Sequence, residues 1–163
     1  SRVFAMAELC LSGHNPAMSS ASFRRKMQRF VDLDGRDKWL FMRAVGWLGI
    51  ARAMLLLMPF QSLAERLSAP AAEHVAVIDE ELLERVGFAV AAAANNVPWR
   101  SDCFPQAIAA RMLLKACGFQ STIHLGVERS GEDDLAGHAW LSCGERVVTG
   151  GVDLSRYTEV HRF

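Results

Sequence analysis

Up to Gly118 the apolar residues of this chain recur at helical spacing, and from Phe119 onward they alternate. A sequence that changes period once, helices first and strands after, points to an α+β fold: N-terminal helices, then a late helix packed on a small antiparallel sheet. "WLFMRAVGWLGIARAMLLLMPF" (Trp39 to Phe60) reads as one long apolar helix that Asp37 can cap and that Pro59 and "QSLAER" end. A further helix is expected over 76–95, where Val77, Leu82, Leu83, Val86 and Val90 share a face and Pro98 closes the run. The next, Ser101–Cys117, ends at Gly118, the residue type expected just past a helix C-terminus. Shorter helices are expected in "FAMAEL" and "SFRRKMQRFVDL", with breaks at "DLDGRDKW" and around Pro70. "FQSTIHLGV" alternates, with Phe119, Ser121, Ile123, Leu125 and Val127 on one face and His124 turned away. After the polar loop "ERSGEDDLAG", the segments "HAWLSC" and "ERVVTG" form a hairpin around Gly144.

A chain of 163 residues, 51% of them hydrophobic, suits a single core. Its 18 basic and 18 acidic side chains cancel, which argues against a surface built to bind nucleic acid. The one basic run, Arg24 to Arg29, reads as a solvated helix face. Cys10, Cys103, Cys117 and Cys143 form no CxxC pair, which fits a reducing, cytoplasmic setting where thiols are buried or catalytic. His124, His138 and Cys143 lack ligand spacing, so neither metal nor cofactor is expected. The Trp39–Phe60 run approaches the length of a membrane span, but Arg43 and Arg52 lie inside it. Each central Arg opposes insertion by about 2.5–3.5 kcal/mol, so a buried helix, or one resting on a partner, is expected instead of a membrane span.

The periodicity also brings chemistry together. The helix from Cys103 descends about 21 Å, and the strand after it climbs back about 26 Å. The next strand then starts level with Cys103, with His138 as its first residue, and its hairpin partner returns to that level near Asp153. A thiol at a helix N-terminus meets the positive end of the dipole and unpaired N–H groups. An imidazole in reach takes its proton, a carboxylate orients the imidazole, and the helix amides hold an oxyanion. Trp140, on the face of His138, would shield the pair. Structural readings stand beside this one: a small buried thiol, a hydrogen-bonded strand histidine and an Asp capping a turn.

"DCFPQAIAARMLLKACGFQSTIHLGV" followed by "AGHAWLSCGERVVTGG" resembles the lasso-peptide B2 leader peptidases, which are transglutaminase-like cysteine proteases. The shared pattern is a Cys opening an Ala/Leu-rich helix, a strand ending in "GV", then "HAW" and a short strand pair. "LLLMPF" and "VPWRSDC" upstream extend the resemblance to about residues 33–163, the expected peptidase domain, with 1–32 as an N-terminal helical arm. Phe104-Pro105 departs from the pattern, where a Leu and a non-proline residue are more usual.

The resemblance implies a papain/transglutaminase-like fold and a triad of Cys103, His138 and Asp153, with Glu145 and Glu159 as alternative third members. It implies removal of the leader from a ribosomally made precursor peptide, after which an ATP-dependent cyclase similar to asparagine synthetases closes the macrolactam. The arm is too short for a leader-recognition domain, so a separate recognition protein or domain is expected. Acyl transfer to an amine and non-catalytic leader binding are the rival functions.

Overall fold

The computed structural model describes residues 34–68, 79–129, 135–151 and 153–163. The helical arm with its basic run, the Pro70 break, the expected start of a helix at 76–78 and most of the polar loop lie outside the described residues. Among the described residues four helices come first: α1 (Gly35–Leu57), α2 (Phe60–Ser68), α3 (Glu80–Ala94) and α4 (Cys103–Ala116). The strands β1 (Thr122–Arg129), β2 (Leu135–Cys143), β3 (Arg146–Thr149) and β4 (Thr158–Arg162) follow, in the sheet order β3-β2-β1-β4. The α+β order read from the periodicity holds.

Asp34, not Asp37, caps α1: its Oδ1 accepts from the Gly35 amide at 2.7 Å. Asp37 instead accepts from Arg85 Nε at 2.9 Å and Nη2 at 2.6 Å, which ties α1 to α3. Leu40, Ala44, Leu48 and Ala51 form one buried stripe of α1 against α3 and α4. Trp39, Met42, Ile50, Leu56 and Leu57 are exposed. By length and composition α1 is apolar enough to cross a membrane, and 22% of its most apolar window is buried. The long helix is thus core on one stripe and elsewhere carries exposed apolar residues among Arg36, Lys38, Arg43 and Arg52. Leu48→Lys, at 0% exposure, is expected to leave no soluble folded protein, because an unpaired ammonium enters the core. Leu57→Lys, at 83% exposure, is expected to change stability by less than about 0.5 kcal/mol. Soluble yield and thermal unfolding check the pair.

The long helix ends before Pro59, as expected, but the polar segment that follows is itself helical. Met58 takes the extended backbone that a following proline favours (φ −113°, ψ 140°), and α2 then starts afresh with Leu63 and Leu67 buried one turn apart. At its other end, α4 stops in a Schellman motif: the Phe119 amide donates to the Leu114 carbonyl at 2.9 Å and Gly118 to Lys115 at 3.1 Å, with Gly118 at φ +85°. Arg111, in the middle of α4, donates to the carbonyls of Leu67 (2.6 Å) and Phe163 (2.9 Å), joining α2 and the C-terminus to the core. Arg111→Met is expected to lose about 3 kcal/mol, since both carbonyls lose a charged donor. Denaturant unfolding reads that loss.

Alternation along β1 and β2 sets two sheet faces. Ile123, Ala139, Leu141 and Cys143 are buried on the face that packs against α4. His124, Gly126, His138, Trp140 and Ser142 share the other. The first strand starts at Thr122 instead of Phe119, and β2 starts three residues before His138. β4 is a strand the alternation did not reveal. All five of its residues are exposed, and it pairs with β1 across a bulge between Leu125 and Gly126.

Candidate active site

Cys103 is the first residue of α4 and is half-buried. Asp102 holds the N-cap position, but its carboxylate makes no cap hydrogen bond and lies 3.6 Å from Arg100. Pro105, buried in the first turn, has no N–H, and its fixed φ suits that position. The departure Phe104-Pro105 is therefore compatible with a regular helix start. The amides of Cys103 and Phe104 open the helix without a side-chain cap, where unpaired N–H groups favour an anion. One turn on, Gln106 Nε2 donates back to the Ser101 carbonyl at 2.7 Å and pins the approach to Cys103. Trp99 Nε1 and Ser101 Oγ, in that same approach, are buried with no partner among the described residues. Folded chains seldom leave such groups unmade.

His138 sits on β2 opposite Gly126, and its Nε2 lies 2.8 Å from the Gly150 carbonyl. A carbonyl only accepts, so Nε2 carries the proton and Nδ1 of the neutral ring keeps the lone pair. β3 ends at Thr149, opposite Leu141, so among the described residues no strand covers that edge of β2 beside Ala139 and His138. Gly150 turns across this open edge with φ +74°. A Cβ there would stand 2.5 Å from the Ala139 carbonyl oxygen and 3.0 Å from Trp140 Cα. Only glycine lets the carbonyl reach the imidazole.

The ring stacks on Tyr157 at 4.7 Å and, offset, on Trp140 at 6.2 Å. Trp140 shares the His138 face, as alternation predicts, and is 8% exposed. Gly126 makes room for its ring: a Cβ there would lie 2.8 Å from Trp140 Cζ3.

The candidate third residues are dispersed. Asp153 starts a 3-10 turn (Leu154–Arg156) in left-handed backbone, φ 40°. Its carboxylate accepts from Ser155 Oγ at 2.8 Å and lies 3.9 Å from Arg156, with no hydrogen bond to His138. Glu145 is at the β2–β3 turn, about 16 Å of strand beyond His138. Glu159 Oε2 accepts from His124 Nδ1 at 2.9 Å.

His124, which the sequence marked only as turned away from its neighbours, belongs to this face. Its Nε2 lies 2.8 Å from Ser142 Oγ, and its ring stacks flat on Trp140 at 5.2 Å. The carboxylate of Glu159 only accepts, so Nδ1 donates, and the Ser142 hydroxyl donates to Nε2 of the neutral ring. Period-two spacing relates His124, Trp140 and Ser142 once the register is known, whereas Glu159 depends on the unforeseen β4.

Cys103 and His138 lie toward the same end of the layered fold but on opposite sides of the sheet: α4 packs on the Ile123, Ala139 and Leu141 face, and His138 stands on the other. α4 descends from Cys103, β1 returns antiparallel to it, and β2 starts at that level. No hydrogen bond joins the two side chains among the described residues. Gln106, one turn beyond Cys103, and Gly150, which holds His138, line one cleft. Of the other thiols, Cys117 is exposed, and burial pushes the Cys143 thiol pKa up. No group of three or more His, Cys, Asp or Glu that could hold a metal occurs among the described residues.

Residues 45–162 match the transglutaminase-like superfamily. No curated protein and no solved structure matches the chain.

Proposed function

Because the chain belongs to the transglutaminase-like superfamily, whose members are typically cysteine-dependent enzymes, we propose that it is a cysteine peptidase that removes the leader from a lasso-peptide precursor. The observation that carries this reading is the uncapped start of α4, with Cys103 as its first residue. At the same end stands an imidazole whose Nε2 is engaged by a carbonyl, so that Nδ1 is its basic atom.

In this reading, which requires the His138 imidazole to come round the open edge of β2 from the sheet face away from α4, Cys103 Sγ attacks the scissile carbonyl carbon, and the thiol proton passes to His138 Nδ1 as the C–S bond forms. The Cys103 and Phe104 amides receive the oxyanion. Nδ1 then protonates the leaving amine as the C–N bond breaks. Water, deprotonated by the same nitrogen, hydrolyses the thioester. A separate recognition protein or domain presents the leader, an ATP-dependent cyclase takes the cut core peptide, and the setting is cytoplasmic.

The orienting contact is assigned to the Gly150 carbonyl, and Asp153 is the carboxylate to test. Asp153→Asn is expected to keep cleavage within about fivefold, whereas loss of an orienting triad carboxylate costs about 10⁴-fold. A loss on that larger scale would return the third role to Asp153.

The first test is alkylation. Iodoacetamide at neutral pH is expected to modify Cys103 ahead of Cys117, although Cys117 is the more exposed. Such a preference reflects activation, not access. Equal rates would leave Cys103 an ordinary thiol and favour a leader-binding protein. Product masses from the precursor, its recognition partner and an added amine then separate hydrolysis from acyl transfer.

A further inference from the structure

A cleft of about 720 Å³ lies between α3 and β3. The two elements run in the same direction. Arg146 meets Glu84 at 3.3 Å, and further along Gly87 accommodates the Val148 carbonyl, which a Cβ would approach to 2.5 Å. At the far end Ala91 and Gln106 face Gly150. One end of the cleft is therefore the carbonyl that holds His138, one turn of α4 from Cys103. From Glu84 to Ala91 the helix advances about 10 Å, the length of roughly three extended residues. Leu83, Phe88 and Val147 give the cleft apolar walls. Its volume lies within the range of about 300–1,000 Å³ typical of ligand sites.

The remote end is charged. Arg146 is shared between Glu84 at 3.3 Å and Glu80 at 3.7 Å. Glu145, exposed beside them, has no ion pair among the described residues. Among the described residues the carboxylates of Glu80, Glu84 and Glu145 outnumber the one cation there, Arg146, so this end favours a basic side chain.

We propose that the cleft is a peptide-binding subsite. It holds the extended substrate segment beside the scissile bond, with a Lys or Arg about three residues from that bond set against Glu145. The inference rests on the peptidase reading for which bond is cut, but its test reads binding alone. The isotope-labelled full chain is titrated by NMR at low salt with acetyl-Lys-Ala-Ala-Leu-amide and with acetyl-Glu-Ala-Ala-Leu-amide. Saturable shifts are expected at the Gly87, Val148 and Gly150 amides, with the Lys peptide up to about fivefold tighter, the reach of an exposed ion pair. Glu145→Lys, at an exposed turn, is expected to reverse that order with an unchanged circular dichroism spectrum. Shifts absent from these amides, or an order that Glu145→Lys leaves intact, would overturn the subsite. Binding without selective Cys103 alkylation would keep the subsite and remove the peptidase. Selective alkylation without binding would do the opposite.

Discussion

Cys103→Ala is expected to lose cleavage of the precursor by about 10³-fold or more while its unfolding midpoint stays near that of the parent chain. The substitution removes one sulfur from a half-buried helix start, so little packing is lost. It also removes the only atom that can form the thioester. His138→Ala should lose nearly as much, and the double variant should be little worse than either, because residues acting as one unit are non-additive. Cys117→Ala and Cys143→Ala serve as controls that keep most activity. Cleavage rates by mass spectrometry, with the recognition partner present, give the four values. Multiplying losses in the double variant would mean that thiol and imidazole work apart.

The second large effect falls on Gly150. Gly150→Ala meets two penalties: left-handed backbone at φ +74°, and a Cβ 2.5 Å from the Ala139 carbonyl with Trp140 Cα and Cβ each at 3.0 Å. The first costs an L-residue about 1–2 kcal/mol. The second is a collision with main chain that no side-chain rotation relieves, so the total is expected to reach about 3 kcal/mol or more. The shift that relieves it pulls the carbonyl from His138 Nε2 and frees the ring to rotate. Cleavage is therefore expected to fall about 100-fold even at temperatures where the variant is folded. Gly118→Ala is the matched control. It has φ +85° but nothing within 4 Å of the added carbon, and it should cost only about 1 kcal/mol with cleavage intact. Equal losses at the two glycines would show that backbone conformation, not the closed edge of β2, sets the importance of Gly150.

Much of this architecture was legible in local signals. Leu83, Val86 and Val90 fall on the buried face of α3, and Gly118 ends α4 as a left-handed glycine. His124 and Ile123 face opposite sides of β1, and His138 and Trp140 share a face. Each of these follows from a period or from one residue's conformational freedom. The misread positions are those where two local rules competed. Asp34 and Asp37 are both capping types, and only the approach of Arg85 from α3 drew Asp37 away. "QSLAER" looks polar, yet Leu63 and Leu67 one turn apart become a buried stripe once the chain bends at Pro59. β4 has no buried residue, so it carried no alternation to detect; its backbone pairing with β1 makes it a strand.

By itself, the sequence determined which residue types could do chemistry and at which end of the fold they would lie. Helix rise, strand rise and antiparallel return set the level of Cys103 and His138 along the layers, because those lengths are properties of the backbone, but not which face of the sheet α4 covers, and it covers the one away from His138. Only the tertiary structure decided what each group touches. The partner of His138 Nε2 is a main-chain carbonyl, which no side-chain motif records, and it gets there because β3 stops at Thr149 and a glycine crosses the open edge. Asp153 turns to Ser155 and Arg156, and Glu159 turns to His124. Hydrogen bonds form over about 3 Å, whereas the periodicity of a sequence places a residue only to within a turn or a strand step.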